Sequence, residues 1–267
     1  PSAVTILLAL GLMGCPAAPT DDDDSATPEA RQTRFGPGFV GGDRPAQVLQ
    51  PAGYDGLTDT PVIVLLHGYG ASADLQEFYF QLGERVDEDG FFLVLPDGTS
   101  DSSGTAFWNA FPESDEPIDD VGYLMGLIDE LQSSFWVDAD RISFMGHSNG
   151  GFMSYRLACE HADRIAGIVS LAGLSPYSDE DDCAPSEPVS VLQVHGTDDP
   201  QVPYDGFNGG LGAEALAERW ATRAGCDVAQ SADGGVIDLI DGIAGDETRI
   251  VDYRVGCEDG AQVSRWT

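Results

Sequence analysis

Gly146-His147-Ser148-Asn149-Gly150 constrains this chain more than any other stretch, because it follows the apolar run Ile142 to Met145 and precedes a helical pattern. A buried strand that reverses into a helix over so few residues carries its central side chain on a tight, strained turn, and flanking glycines let neighbouring backbone come close to it. The serine is thereby presented at the sheet edge. A serine hydroxyl is a poor nucleophile unless it is exposed, aimed and set beside a base, so G-x-S-x-G in this context points to covalent catalysis through Ser148.

The rest of the chain supplies the sheet that such a turn requires. Pro61 to Leu66 (PVIVLL), Phe91 to Leu95, Ile165 to Leu171 and Val189 to Val194 are short apolar runs, the pattern of strands buried on both faces. Leu75, Phe78, Tyr79, Leu82 and Val86 recur at helical spacing, as do Val121, Leu124, Met125, Ile128 and Leu131 behind the capping residues Asp119 and Asp120. Phe39 to Gln50 reads as one or two edge strands, Ala213 to Arg223 as a helix and Thr248 to Arg254 as a late strand. Alternation of this kind predicts an α/β fold, a doubly wound and mostly parallel sheet with its site at the strand C-terminal ends. The 267 residues, 42% of them hydrophobic, suit one such domain.

An activated serine needs donors for the oxyanion that forms on attack. One N–H is expected from the residue after the nucleophile, Asn149, and another from the loop after an earlier strand. Leu66-His67-Gly68-Tyr69-Gly70 fits the second, with the Tyr69 N–H as the donor. The acid should follow a later strand, and His195-Gly196-Thr197-Asp198-Asp199-Pro200 does so. Asp199 is preferred to Asp198, and His195 is expected to pack or bond locally.

LLHGYG at Leu65 to Gly70, FWNA at Phe107 to Ala110, DDVGYL at Asp119 to Leu124, GHSNGGFMSYRLAC at Gly146 to Cys159 and HGTDDPQVPY at His195 to Tyr204 together resemble the secreted polyhydroxybutyrate depolymerase and feruloyl esterase group of α/β-hydrolases. The resemblance runs from about Phe39 onward, in the family's order. It implies an α/β-hydrolase fold and a serine esterase without metal or organic cofactor, acting on esters of plant cell wall polysaccharide or on polyesters. It supports Asp199 as the acid and places Trp108 and Asn109 near the rim of the site. There the indole either stacks on a sugar or phenolic acyl group or packs in the core. His147, beside the nucleophile, is a further candidate for substrate binding.

The chain departs from the family in its base. The order Ser, Asp, His demands a histidine after Asp199, whereas the four present are His67, His147, His161 and His195. In the family the base lies in a glycine-rich turn after the last strand, and Ala261 to Trp266 resembles the strand leading into it. The expectation is therefore a sequence clipped at both ends, with its domain at 35–267. Two other readings compete: a non-catalytic surface protein that binds carbohydrate, and a prolyl-oligopeptidase-like peptidase.

The formal charge of −34, with no lysine and twelve arginines, repels phosphate backbones and anionic headgroups, so nucleic acid is excluded as a partner and a neutral ester is the fitting substrate. The protein is expected to act as a monomer. Cys159, Cys183, Cys226 and Cys257 form an even set, which in an exported protein reads as two disulfides. Of three pairings, Cys159 with Cys183 and Cys226 with Cys257 are favoured because each closes a local loop, and the resemblance supports them. Without CxxC spacing or nearby histidines, a zinc site is the poorer reading.

Ala3 to Met13 is too short to span a bilayer and resembles the core of a signal peptide, ending in Leu12-Met13-Gly14-Cys15, which is similar to a bacterial lipobox. Residues 1–15 are thus read as a partial lipoprotein signal, and 16–34, with Asp21 to Asp24, as a solvated acidic tether. The localisation expected is extracytoplasmic, secreted or anchored to the cell envelope, with membrane contact only through a lipid on Cys15. Bacterial expression with a complete signal should give a protein that partitions into detergent, and Cys15→Ser should release it; absence of lipid on the N-terminal peptide by mass spectrometry would remove the anchor.

Overall fold

The computed structural model describes residues 31–177, 179–239 and 243–267. Cys15 and the acidic run Asp21 to Asp24 lie outside the described residues. Its strands are β1 (Phe39–Val40), β2 (Ala46–Leu49), β3 (Thr60–Leu66), β4 (Phe92–Leu95), β5 (Thr99–Ser100), β6 (Ala106–Phe107), β7 (Val137–His147), β8 (Gly167–Leu171), β9 (Ser190–Val194), β10 (Ala232–Ile237), β11 (Thr248–Tyr253) and β12 (Val263–Trp266). The α-helices are α1 (Ala73–Phe80), α2 (Val86–Asp89), α3 (Asp120–Ser134), α4 (Asn149–Glu160) and α5 (Ala213–Arg223).

Ten strands form one sheet in the order β1-β2-β4-β3-β7-β8-β9-β12-β11-β10. The six from β4 to β12 run parallel, and antiparallel pairs close both edges. The continuous apolar runs are explained by burial on both faces: Val62, Val64 and Leu66 point into the core under α3, α4 and α5, while Ile63 and Leu65 point into a second core with Ala73 and Phe80 of α1. The same alternation splits Phe144 from Met145, Ile168 from Val169 and Val191 from Leu192. Side chains on both faces must be apolar, and the strands therefore carry no polar face to read.

The helix after β3 differs from its expected form. Gln81, at φ 56°, ends α1 after eight residues, so Leu82 and Val86 belong to the following turns and are buried there. Leu75, Phe78 and Tyr79 do not share their face: they are 57%, 77% and 66% exposed. The β10–β11 hairpin was not legible, because β10 is a glycine-containing edge strand whose first five residues are all exposed.

The expected boundary after Arg34 falls inside packed chain. The guanidinium carbons of Arg31 and Arg34 lie 3.5 and 3.9 Å from the ring centroid of Trp136, whose indole N–H donates to the Gln32 carbonyl at 2.9 Å. Arg31 is also paired with Asp59. These contacts tie residues 31–34 to the domain. Among the described residues no helix is long and apolar enough to cross a membrane.

Both expected disulfides are present, Cys159–Cys183 and Cys226–Cys257, closing loops of 24 and 31 residues. The cysteines are thus unavailable to zinc. Chain entropy alone assigns each crosslink about 3 to 4 kcal/mol of stabilisation, through the unfolded state. Non-reducing peptide mapping should recover these two pairs, and the Cys226→Ser/Cys257→Ser variant should unfold at markedly lower denaturant than its parent.

Candidate active site

The parallel register aligns the strand ends that build the site. Leu66 of β3 pairs with Gly146 of β7, His147 with Leu171 of β8, Leu171 with Val194 of β9, and Val194 with Trp266 of β12. The loops after β3, β7 and β9 therefore emerge side by side at one edge.

Ser148 sits at φ 51°, ψ −115° between β7 and α4. A non-glycine residue in that region costs on the order of 1 to 3 kcal/mol and persists only where its surroundings over-determine it. Here the Ser148 N–H donates to the Leu171 carbonyl at 2.8 Å, and the Ser148 carbonyl accepts from Phe152 N–H at 3.0 Å. A methyl group on Gly146 would overlap the Gly150 carbonyl, and one on Gly150 would overlap the Leu66 carbonyl. Both glycines are thus required by close backbone approach.

The loop after β3 lies directly against this turn: a methyl group on Gly68 would come 3.1 Å from Nδ1 of His147 and 3.6 Å from Cβ of Ser148. Gly68 N–H donates to Oε1 of buried Gln76 at 3.2 Å, and Gly70 N–H, at φ 72°, donates to the Ala106 carbonyl at 2.8 Å. Between them stands Tyr69, its hydroxyl donating to Oδ2 of Asp101 at 2.5 Å. Asn149 is the first residue of α4, so its N–H has no intrahelical acceptor. Tyr69 and Asn149 thus flank Ser148 on two neighbouring elements.

His67 is a brace. Its Nε2 accepts from Gly98 N–H at 2.8 Å, which leaves Nδ1 to donate to the Gly68 carbonyl at 2.8 Å. Burial lowers its pKa from 6.5. His147 is half-buried beside Ser148, with its ring centroid 5.9 Å from that of Tyr79; burial lowers its pKa as well, opposed by the charge of Asp199. His161 caps the far end of α4, about 18 Å along the helix from Ser148.

Asp199 and Asp198 are distinguished by their surroundings. Oδ1 of Asp199 accepts from Gln201 and Val202 N–H at 2.8 and 3.0 Å, while Oδ2 lies 3.8 Å from Nε2 of His195; Asp198 is exposed. His195 bonds locally: Nε2 donates to the Val202 carbonyl at 2.8 Å, and Nδ1 accepts from Gln193 at 3.0 Å. Gln193 in turn accepts from the Tyr155 hydroxyl at 2.7 Å. A buried polar chain therefore supports the loop that carries Asp199. No hydrogen bond joins the Ser148 hydroxyl to any of the four histidines among the described residues.

Trp108 and Asn109 are not on the rim. Trp108 is 0% exposed, and its indole N–H donates to the His67 carbonyl at 3.0 Å, so the ring packs beneath the loop and offers no stacking face. Its backbone is clamped by the Asn149 side chain, which accepts from Trp108 N–H at 2.7 Å and donates to Trp108 O at 3.0 Å. Asn109 donates through Nδ2 to the Glu116 and Ile118 carbonyls, and its own carbonyl accepts from Arg156.

Two residues of this support escaped sequence reasoning. Asp119 caps α3 as expected, its Oδ1 accepting from Gly122 N–H at 2.7 Å. Asp120 does more than cap: it is buried, accepts from Asn109 N–H at 2.7 Å and pairs with Arg44 at 2.6 Å. Adjacent aspartates give no sign of which one turns inward, and Arg44 lies 76 residues away. Among the described residues no group of three or more His, Cys, Asp or Glu side chains is placed to hold a metal ion.

Comparisons with known proteins show the family and the fold. The phospholipase/carboxylesterase family profile matches residues 55–210. The chain is 36% identical over 152 residues to a putative esterase of Nocardia uniformis, covering 55% of this chain and 42% of that one. It is 32% identical over 190 residues to feruloyl esterase B of Piromyces equi, covering 66% of this chain and 34% of that one. The match thus spans less than half the length of either relative. Among solved structures, an acetyl xylan esterase from Aspergillus awamori superposes with a TM-score of 0.59 at 14% identity, over 85% of this chain and 90% of that one, a likeness of fold.

Because the folded state disfavours protonation of His67 and His147, the unfolded chain takes up those protons first on acidification. The stability they contribute is present above about pH 6.5 and is lost as pH falls through their lowered values. NMR titration of the ring protons should place both imidazoles below 6.5.

Proposed function

Because the chain belongs to the phospholipase/carboxylesterase family of α/β-hydrolases, we propose that it is a serine carboxylic-ester hydrolase that works through an acyl-enzyme on Ser148. The observation that carries this reading is the strained backbone of Ser148 at the junction of β7 and α4, with the Tyr69 loop packed against it. Attack of Oγ on the ester carbonyl forms a tetrahedral oxyanion that the Tyr69 and Asn149 N–H groups stabilise. Collapse expels the alcohol and leaves the acyl group on Ser148; water then releases the acid by the reverse proton path. Asp199 orients the base and stabilises its imidazolium.

Among the described residues none of the four histidines is hydrogen-bonded to the Ser148 hydroxyl, so the base is not assigned to any of them. β12 ends beside the Asp199 loop, the Trp266 carbonyl accepting from His195 N–H at 2.9 Å. The substrates proposed are feruloyl or acetyl esters of plant cell wall polysaccharide, the activities named for relatives, with polyhydroxyalkanoate-type polyester as the second class. The disulfides support an extracytoplasmic location. One observation favours a carbohydrate-binding protein without catalysis instead: the lack of a histidine bonded to Ser148.

In the full-length protein, Ser148→Ala should abolish hydrolysis of p-nitrophenyl acetate and methyl ferulate, and Asp199→Asn should cost on the order of 10⁴ in kcat. Asp198→Asn should retain activity. The kcat/KM profile of the parent should rise with pH near the imidazole pKa, about 6.5. Full activity of Ser148→Ala would overturn the mechanism, and an inactive parent would leave the binding reading in its place.

A further inference from the structure

The exposed face of α1, beside the turn at Ser148, carries apolar side chains that water should disfavour. Leu75, Phe78 and Tyr79 stand 57%, 77% and 66% exposed, and Tyr69, on the loop that Gln76 of α1 holds through Gly68 N–H, is 57% exposed. The face is rigidly placed: Ser72 caps α1, Ala73 N–H donates to Asp97 at 2.7 Å, and buried Gln76 holds the Gly68 N–H. It is also continuous with the site, since the Tyr79 ring lies against His147, the residue before the nucleophile. Contiguous apolar surface of this kind marks an interaction site.

We propose that this face is a docking platform for the neutral polysaccharide chain that bears the ester. The inference rests on the reading of Ser148 as the nucleophile for polysaccharide esters and adds where the sugar chain lies. Charge decides the partner: α1 carries Asp74 and Glu77 but no cation, on a chain of net charge −34 without lysine, so anionic lipid and polyanionic polymers are repelled. Shape decides its size, because an open helix face, with Leu75 to Tyr79 spanning about 6 Å along the axis, gives a sugar chain a surface and gives a small acyl group no enclosure. The apolar C–H face of a pyranose covers an aromatic ring, while its hydroxyls stay with water, Asp74 or Gln81. Tyr69, Phe78 and Tyr79 supply three rings for this, and the Tyr69 ring is held by its bond to Asp101.

The test is depletion of the full-length Ser148→Ala protein from solution by insoluble neutral arabinoxylan. That form leaves the polymer's esters intact, so the result does not depend on whether hydrolysis occurs. Phe78→Ser/Tyr79→Ser in this background should weaken binding on the order of tenfold, the loss expected from two aromatic stacking contacts. Phe78→Tyr/Tyr79→Phe should restore it. All four substitutions are on exposed side chains, and circular dichroism verifies the fold. No depletion of the parent, equal depletion of the serine variant, or stronger capture by polyester particles or phosphatidylglycerol vesicles overturns the proposal. So does a dimer in sedimentation that the serine variant loses, since a second copy would then occupy the face.

Discussion

The structure around the proposed nucleophile depends on one residue held where its backbone would not rest by itself. Ser148 at φ 51°, ψ −115° is kept there by neighbours on every side. Leu171 accepts its N–H, α4 begins on its carbonyl, and the glycines at 146 and 150 let β7 and α4 approach each other and β3 without a side chain between them. Gly151 extends the arrangement, since a methyl group there would sit 3.1 Å from Cα of Gly173, in the turn after β8. The conformation is thus a property of the three parallel strands β3, β7 and β8 together with α4.

The proposed oxyanion donors share this rigidity through a chain of polar groups, most of them buried. Arg44 meets Asp120, Asp120 holds Asn109 N–H, the next residue back is Trp108, and Trp108 is clamped by the side chain of Asn149. The Trp108 indole donates to the His67 carbonyl while its backbone is held by the Asn149 side chain, so the loop after β3 and the start of α4 meet at one residue. A buried ion pair such as Arg44 with Asp120 is a weak source of net stability, but removing one partner leaves an uncompensated charge. Its value here is placement: it fixes a loop whose own strands, β5 and β6, are two residues each.

What the sequence reveals follows from which features are local. The strained turn at Ser148 and the parallel strands are legible because each is written in consecutive residues with a required neighbour. Both disulfides are legible because the loops are short relative to the chain. Trp108, Asn109 and Asp120 are not, because exposure and burial of one tryptophan or one of two adjacent aspartates are decided by Arg44 and Arg156, far off in the chain. The face of α1 misleads for a different reason: periodicity records that apolar residues share a side, and only the break at Gln81 decides that Leu75, Phe78 and Tyr79 part company with Leu82 and Val86.

That exposed face and the acidic composition are two parts of one solution. An apolar patch beside a catalytic turn invites copies of the same chain to associate through it. A net charge of −34 opposes such encounters, because any two copies repel before their patches can meet, and the repulsion is strongest at low ionic strength. A neutral polymer feels none of it. The same charge disfavours approach of polyanions and thus suits the apolar face to the proposed neutral polymer.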